Sequence, residues 1–442
     1  MDSLAKVIAL GGRRLNRALA MHYLFGNTVK ELPNCLNFLG NEDFILKTSN
    51  ASKSWNGALE YSTDGETWTV WDGTEISSAR KVLYLRGTGN TKITGSSSDN
   101  RFVLSGANTL KVACRGNIEN LLDYETVTSG GHPTVDGYCF YYMFNGCTQL
   151  TEAPDMPTTL TNAGYACAYM FQNCTSLTKA PKLPATTMAM ACYQGMFKDC
   201  TSLTKAPELP AITLANYCYS EMFQNCASLT TAPELPATKL YEHCYASMFS
   251  GCTSLTEAPA LPATQLGTFC YNYIFNNCTS LTTAPELPAT TLVDNCYRSM
   301  FQNCTSLTEA PALPATKMAN YCYYYMFNGC KSLTTAPELP AITLANHCCR
   351  GMFLNCASLE VIPKLPATNL YYYCYGNMFY GCKKIKLSTT QTGDYQTEYR
   401  IPTSGTGVTA TGVTKDMFSN TGGTFTGTPD INTTYYTSNN VV

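Results

Sequence analysis

Charge is scarce in this sequence. Of 442 residues only 14% are Asp, Glu, Lys or Arg, and the formal net charge is −2. A surface of that kind has no basic footprint for a phosphate backbone, so nucleic acid is not an expected partner. Histidine is scarcer still, with four in the chain, and no CxxC pair lies near a histidine pair. The usual zinc patterns are therefore missing, and neither a metal nor a cofactor is expected. No paired-carboxylate, phosphate-loop or nucleophile motif is present, which leaves no catalytic residue to name and argues against an enzyme. No apolar run approaches the ~20 residues of a membrane span, so membrane insertion is not expected. The N-terminus also lacks the order of a secretory signal. Val7–Leu10 is apolar and Gly-Gly-Arg-Arg follows it, whereas a signal puts its basic residues first and about 7–15 apolar residues after them. Arg13-Arg14 ahead of Ala18–Phe25 fits a twin-arginine signal poorly. The expectation is a chain that stays in the cytoplasm where it is made until something releases it.

What the sequence has in abundance is cysteine, 23 of them, and their order governs the rest. One series runs Cys147, Cys174, Cys200, Cys226, Cys252, Cys278, Cys304, Cys330, Cys356 and Cys382, with steps of 26 residues except the first, which is 27. Ten copies at a fixed period imply a solenoid, in which each unit buries its apolar side only by stacking on its neighbours. A second cysteine precedes each by eight residues, as Cys218 precedes Cys226, except that Cys167 lies seven ahead of Cys174. On a helix that separation is roughly 12 Å, beyond the ~7 Å Cα limit of a disulfide, so the cysteines are expected as free, buried thiols.

Within one unit, Cys218, Met222 and Cys226 fall at i, i+4, i+8 with Phe223 beside them, which predicts a short helical stripe. Ala227–Thr230 is then expected as a short strand. Pro233 and Pro236 follow, and proline cannot donate to a ladder, so the parallel sheet must be narrow and the chain must leave it extended. Leu235 and Leu240 complete the inward set.

The flanks differ. Residues 1–40 are expected as a helical lead, with Leu15, Ala18, Leu19, His22 and Tyr23 on one face. Residues 41–130 predict a small β-sandwich: Phe44–Thr48, Leu59–Ser62, Thr67–Trp71, Lys81–Arg86, Phe102–Ser105 and Leu110–Cys114 are short β-type runs, and Thr63-Asp64-Gly65-Glu66 is a hairpin signal. Trp55, Trp68 and Trp71 all lie here and are assigned to packing over a sugar platform. Ile118–Tyr124 should be a brief helical bridge. The array occupies 131–387, and 388–442, with its Asp416-Met417-Phe418-Ser419-Asn420 echo, reads as a degenerate repeat and cap.

The unit MFxxCTSLTxAPxLPATxLxxxCY, exemplified by Met300-Phe301-Gln-Asn-Cys304-Thr-Ser-Leu307-Thr-Glu-Ala-Pro311-Ala-Leu313-Pro314, resembles the BspA-like leucine-rich repeats of bacterial and phage surface proteins. The resemblance spans about 250 residues. It implies a leucine-rich-repeat solenoid of short parallel strands and short helical turns, used for adhesion and recognition, and carries no catalytic residue. The long first step, with Cys167 displaced, and Ile274 in place of Met depart from the pattern locally.

The framework hardly varies, but the residues around each first cysteine do. The candidate binding face is Tyr217, Tyr219, Glu221, His243, Tyr245, Phe269, Tyr271, Tyr273, Asn295, Tyr297, Arg298, Tyr321, Tyr323, Tyr324, Tyr325, His347, Arg350, Tyr371, Tyr372, Tyr373 and Tyr375. Tyrosine gives rigid amphipathic contact area while Ser, Gly and Asn adapt their hydrogen bonds, which is a paratope's composition. The alternative is free drift of solvated positions, but drift favours Lys and Glu. Cys348-Cys349 beside His347 is the nearest thing to a thiol site, yet Cys348 belongs to the core row. The expected function is receptor recognition of a host-surface glycan or protein by a phage-like virion component, such as a fibre tip, tethered to other virion proteins through residues 1–125. A bacterial surface adhesin and an intracellular scaffold are the alternatives, and self-association is left open.

Overall fold

The computed structural model describes residues 30–388, 397–398, 410–423 and 435–437. The helical lead expected from Leu15 to Tyr23 lies outside them. Within the described part of that lead the chain is extended, because Leu36–Gly40 is the first strand, β1. All five of its residues are buried. A strand buried on both faces has no polar alternation, which is why it escapes a period-two search.

The expected β-runs form β2 (Ile45–Thr48), β3 (Ala58–Ser62), β4 (Thr69–Val70), β6 (Val82–Thr88), β7 (Phe102–Ser105) and β8 (Val112–Arg115), with a further two-residue strand β5 (Ile76–Ser77). Asp64 accepts hydrogen bonds from the N–H groups of Glu66 and Thr67, at 2.9 and 2.8 Å, which closes the β3–β4 turn at the expected place. The strands make two sheets. One runs β5-β2-β7, the other β4-β3-β6-β1-β8 and then β9 (Leu150–Glu152), the first strand of the repeat array. β8 pairs with β9 in parallel, so the edge of the β domain is the template on which the array begins. The helical bridge is α1 (Asn120–Thr128).

From there the chain winds into eleven stacked coils, ten carrying the cysteine series and a last one over 410–421. The expected helix Cys218–Cys226 and strand Ala227–Thr230 are absent. In their place is a run of turns with a strict four-residue period. Even-numbered N–H groups close turns within the coil: Ser220 N–H to Tyr217 O, Met222 N–H to Tyr219 O and Gln224 N–H to Glu221 O, at 3.1, 3.3 and 3.0 Å. Odd-numbered ones reach the next coil: Tyr219 N–H to Cys244 O, Glu221 N–H to Ala246 O and Phe223 N–H to Met248 O, at 3.0, 2.8 and 2.9 Å. Every fourth residue takes a positive φ, as at Tyr217 (61°), Glu221 (58°) and Asn225 (60°). A helix would rotate the i, i+4, i+8 set by 3.6 residues per turn; here the four-residue period is maintained, so the pairs 218–219 and 222–223 both point inward. Elsewhere in the coil, parallel pairing shrinks to single bridges such as Thr283↔Glu309 and Lys317↔Thr343. The prolines explain that narrowness, since they withhold the donors a ladder needs.

One core runs from end to end. Its axis is a column of phenylalanines whose rings stack at 5.5 to 5.8 Å from Phe144 through Phe379. The column continues into Phe418 of the last coil and, through Phe102, into stacked Trp71 and Trp55 of the β domain. Both tryptophans are buried, and Trp68 lies under the Arg86 guanidinium.

All 23 cysteines are free and buried. Each second-row thiol donates to the carbonyl of the phenylalanine in the preceding coil, as Cys226 to Phe197 and Cys304 to Phe275, at 3.0 and 3.1 Å. Cys147 makes the same bond to Phe102 of β7, so the β domain occupies the place of a preceding coil. Burial pushes thiols of both rows, such as Cys218 and Cys278, up to about 12.

The first, long step of the array departs locally from the other coils. Its extra residues fall between Leu160 and Tyr165, ahead of the turn run. Tyr165 N–H bonds Met190 O and Cys167 N–H bonds Cys192 O, which puts Ala166 in the first-cysteine row and Cys167 one position on. Apart from the last coil, the described part of the C-terminal segment is a small sheet, β11 (Thr397–Glu398), β13 (Tyr435–Thr437), β10 (Lys386–Ser388) and β12 (Gly422–Gly423), in that order.

Candidate recognition face

The turn run sorts its side chains by position. Residues one and two places after each first positive-φ residue point into the core. The positive-φ residues themselves, and the residue three places on, line the outer side of the run, most of them half-buried, although some, such as Ala191 and Ser299, are wholly buried.

The first positive-φ residue of each coil makes a row: Tyr138, Tyr165, Ala191, Tyr217, His243, Phe269, Asn295, Tyr321, His347, Tyr373 and Gly412. Where neighbours are aromatic their rings stack: Tyr138–Tyr165 at 4.9 Å, Tyr217–His243–Phe269 at 4.6 Å each, Tyr321–His347 at 4.7 Å and His347–Tyr373 at 5.5 Å. Ala191 and Asn295 interrupt the row, leaving three separate stacks. A left-handed backbone costs a non-glycine residue about 1–2 kcal/mol, and a stacked aromatic pair returns about 0.5–1.5 kcal/mol beyond its burial. The two are of the same size, so stacking and the inter-coil hydrogen bonds hold these rings in a conformation bulky residues otherwise avoid.

The second positive-φ row carries Tyr142, Tyr169, Gly195, Glu221, Ser247, Tyr273, Ser299, Tyr325, Gly351 and Asn377. Tyr142 and Tyr169 stack at 5.0 Å, and Glu221 is neutralised by Lys198 at 2.7 Å. Between these rows lie Arg298, Tyr324 and Arg350. The third row is framework, mostly Asn and Gly: Asn225, Asn277, Asn303 and Asn355 with Gly251, Gly329 and Gly381, the residue types that tolerate a left-handed backbone.

Of the face expected from the sequence, Tyr217, Glu221, His243, Phe269, Tyr273, Arg298, Tyr321, Tyr324, Tyr325, Arg350 and Tyr373 are brought together on this one side at partial exposure. Tyr371 and Tyr372 are the most open, at 41% and 44%. Asn295 and His347 sit at its floor, each 8% exposed. Six residues leave the face. Tyr219, Tyr245, Tyr271, Tyr297, Tyr323 and Tyr375 are each 1% exposed, and most of them form a second core column with Tyr193, ring centroids 5.8 to 6.1 Å apart. The hydroxyls of Tyr193, Tyr219, Tyr245, Tyr271 and Tyr297 have no hydrogen-bond partner. These tyrosines follow the first cysteine in coil after coil, and that recurrence marks them as framework. Conversely, Tyr138, Tyr141, Tyr142, Tyr165 and Tyr169 were not anticipated on the face; their offset from Cys139 was the available signal, and the 27-residue step hid it for coil two.

Burial holds His243 below the ordinary histidine range, and burial together with the Arg350 charge does the same for His347. Both are therefore neutral near pH 7. Cys348 and Cys349 are both fully buried; Cys349 stands in the tyrosine column, and Cys348 in the first-cysteine row. Among the described residues no cluster of His, Cys, Asp or Glu could hold a metal ion, and no helix is long and apolar enough to cross a membrane.

Six copies of the BspA type leucine rich repeat region match this chain, over residues 139–256, 167–308 and 216–359. The chain belongs to that family. No curated protein matches it. BspA-type repeats are in general non-enzymatic protein-interaction repeats and point to a surface or adhesion-type protein. In this BspA-type array the leucines, such as Leu229, Leu255 and Leu281, are wholly buried framework. The chemistry open to a ligand belongs to the turn run: ring edges, tyrosine hydroxyls and, toward the C-terminal coils, two guanidiniums.

Proposed function

We propose that this BspA-type protein is a non-enzymatic recognition protein that binds a host-surface glycan or protein through the aromatic strip on the turn side of its solenoid. The observation that carries this reading is the set of three ring stacks, held in left-handed backbone at the surface and ending in the open Tyr371 and Tyr372. Rigid, amphipathic rings give contact area at low entropic cost. The β domain seals one end of the array, so tethering there leaves the strip free along its length. That suits a receptor-binding component of a phage-like particle, held through the N-terminal domain.

Attachment of labelled protein to host cells tests the reading. Tyr321→Ser with Tyr372→Ser should reduce attachment about tenfold or more, in line with loss of interface anchors, while stability falls by no more than about 0.5–1.5 kcal/mol, the worth of the lost ring stacking. Unchanged attachment would move the site off the strip. Mass spectrometry of purified particles tests the location: finding the chain only in a bacterial envelope fraction would sink the virion assignment.

A further inference from the structure

Two arginines in the later coils are held in place but not neutralised. Arg298 Cζ lies 5.1 Å from the Tyr324 ring centroid and 5.9 Å from that of Tyr273. Arg350 Cζ lies 4.8 Å from Tyr373. Each guanidinium gives one N–H to a neutral acceptor three residues back: Arg298 Nη1 to Asn295 Oδ1 at 3.4 Å, and Arg350 Nη1 to His347 Nδ1 at 3.5 Å. His347 is neutral near pH 7, so it can accept that bond and adds no charge of its own. Among the described residues neither arginine has a carboxylate partner, and the Nε of each is buried without a hydrogen-bond partner. The contrast within the same strip is Lys198, which is paired with Glu221. The nearest acidic residue in the coil, Asp294, is engaged by the backbone N–H and Nδ2 of Asn320.

Further unsatisfied polar atoms lie beside them. Ser299 is wholly buried and its hydroxyl has no partner, and Oδ1 of Asn272, one coil earlier, has none either. A buried donor or acceptor left unmade costs about 1–3 kcal/mol, more when charged. A group of them on one recognition surface, flanked by Tyr273, Tyr324 and Tyr373, calls for a ligand that supplies the missing partners. Two oxygens of one anion satisfy a guanidinium fork, sugar hydroxyls meet the buried amide oxygen and serine once the side chains around them shift, and pyranose C–H faces fit against tyrosine rings.

We infer that coils seven to nine form a subsite for an anionic sugar, with Arg298 and Arg350 each taking a carboxylate or sulfate oxygen pair and Tyr324 lying between them. The two arginines are two coils apart, roughly 10 Å if coil spacing follows strand spacing, so the ligand is a chain with charge on more than one unit. An acidic peptide would meet the arginines but would leave the hydroxyl-matching groups and ring faces unused. This assignment rests on the recognition strip proposed above and names the ligand chemistry for part of it.

The test is calorimetric titration of the full chain with four probes: an oligogalacturonate, a neutral oligogalactan of similar length, a sulfated oligogalactan and oligoglutamate. The expected result is binding to one or both anionic sugars, at least about tenfold tighter than to the neutral chain or the peptide. That binding should weaken with salt and fall about tenfold in Arg298→Gln and in Arg350→Gln, with Arg350→Lys retaining part of it. Which anionic sugar binds separates carboxylate from sulfate. Equal binding of the neutral sugar, equal binding of oligoglutamate, no binding of either anionic sugar, or arginine variants that bind like the parent would each overturn the subsite. If cell attachment still depends on Tyr321 and Tyr372 in that event, the strip stands and only the anionic subsite falls.

Discussion

Tyr325 lies across Gly351, one coil further on, with its Cδ1 and Cε1 atoms where a β-carbon on Gly351 would have to stand. The same relation joins Tyr169 to Gly195 and Tyr373 to Gly412. Gly351 also has φ 60°, so alanine there meets both a clash and a left-handed backbone. Gly351→Ala should destabilise the array by about 1–2 kcal/mol from the backbone alone, with the displacement of Tyr325 adding to it. Chemical denaturation would read the first effect, and quenching of tyrosine fluorescence the second.

Core and face tyrosines should separate cleanly on substitution. Tyr323→Ser empties a position in the buried column and should cost about 3–5 kcal/mol, the range for truncating a buried aromatic. Tyr372→Ser, 44% exposed in the parent, should leave stability within about 0.5 kcal/mol. Denaturation midpoints of the two variants, run side by side, check this. A large loss for Tyr372→Ser would mean the strip is scaffold.

The second-row thiols should be silent in the folded protein. All 23 cysteines are buried and free, and burial holds the shifted thiols well above their usual range. A thiol reagent should therefore titrate almost none under native conditions and all 23 after denaturation without reductant. Cys304→Ala removes the thiol bond to Phe275 O, which still accepts from Cys278 N–H. The expected cost is about 0.5–1.5 kcal/mol for the hydrogen bond, read from the denaturation midpoint.

Acid should weaken the array through its two stacked histidines. His243 and His347 are both held below the free-histidine value of 6.5 in the folded state. The unfolded chain therefore binds more protons as the pH drops through 6.5, and stability falls from there until the folded-state groups are protonated as well. Above 6.5 both states are neutral and these groups add no slope. His243→Phe, which keeps a ring between Tyr217 and Phe269, should flatten the stability–pH profile below 6.5. A profile unchanged by the substitution would show that the slope arises elsewhere.

Much of this architecture was legible from spacing alone. The cysteine series places the coils, and the short β-runs place most strands of the β domain within a residue or two. Period four was the difficult case. Cys218, Met222 and Cys226 satisfy a helical template over two turns, and only the pair Tyr219–Phe223, buried at the same spacing, distinguishes a fixed four-residue repeat from a 3.6-residue one. The face was legible in outline for the same reason and wrong in its middle. Tyr217 and Tyr219 are two residues apart in the sequence, yet one is at the surface and the other is in the core, because a turn run reverses direction every two residues. No composition argument separates them; the near-invariance of the position after the cysteine does.

The alternation of N–H groups, one set closing turns and the other crossing to the next coil, also governs how such a rod can change length. A single residue inserted inside a turn run would exchange the two sets for everything after it in that coil, so small insertions are confined to the outer path, as between Leu160 and Tyr165. A whole unit can be added or removed without that disturbance. The rod then grows or shortens in equal increments, carrying its two guanidiniums nearer to the sealed end or farther from it while each coil's contacts stay as they were.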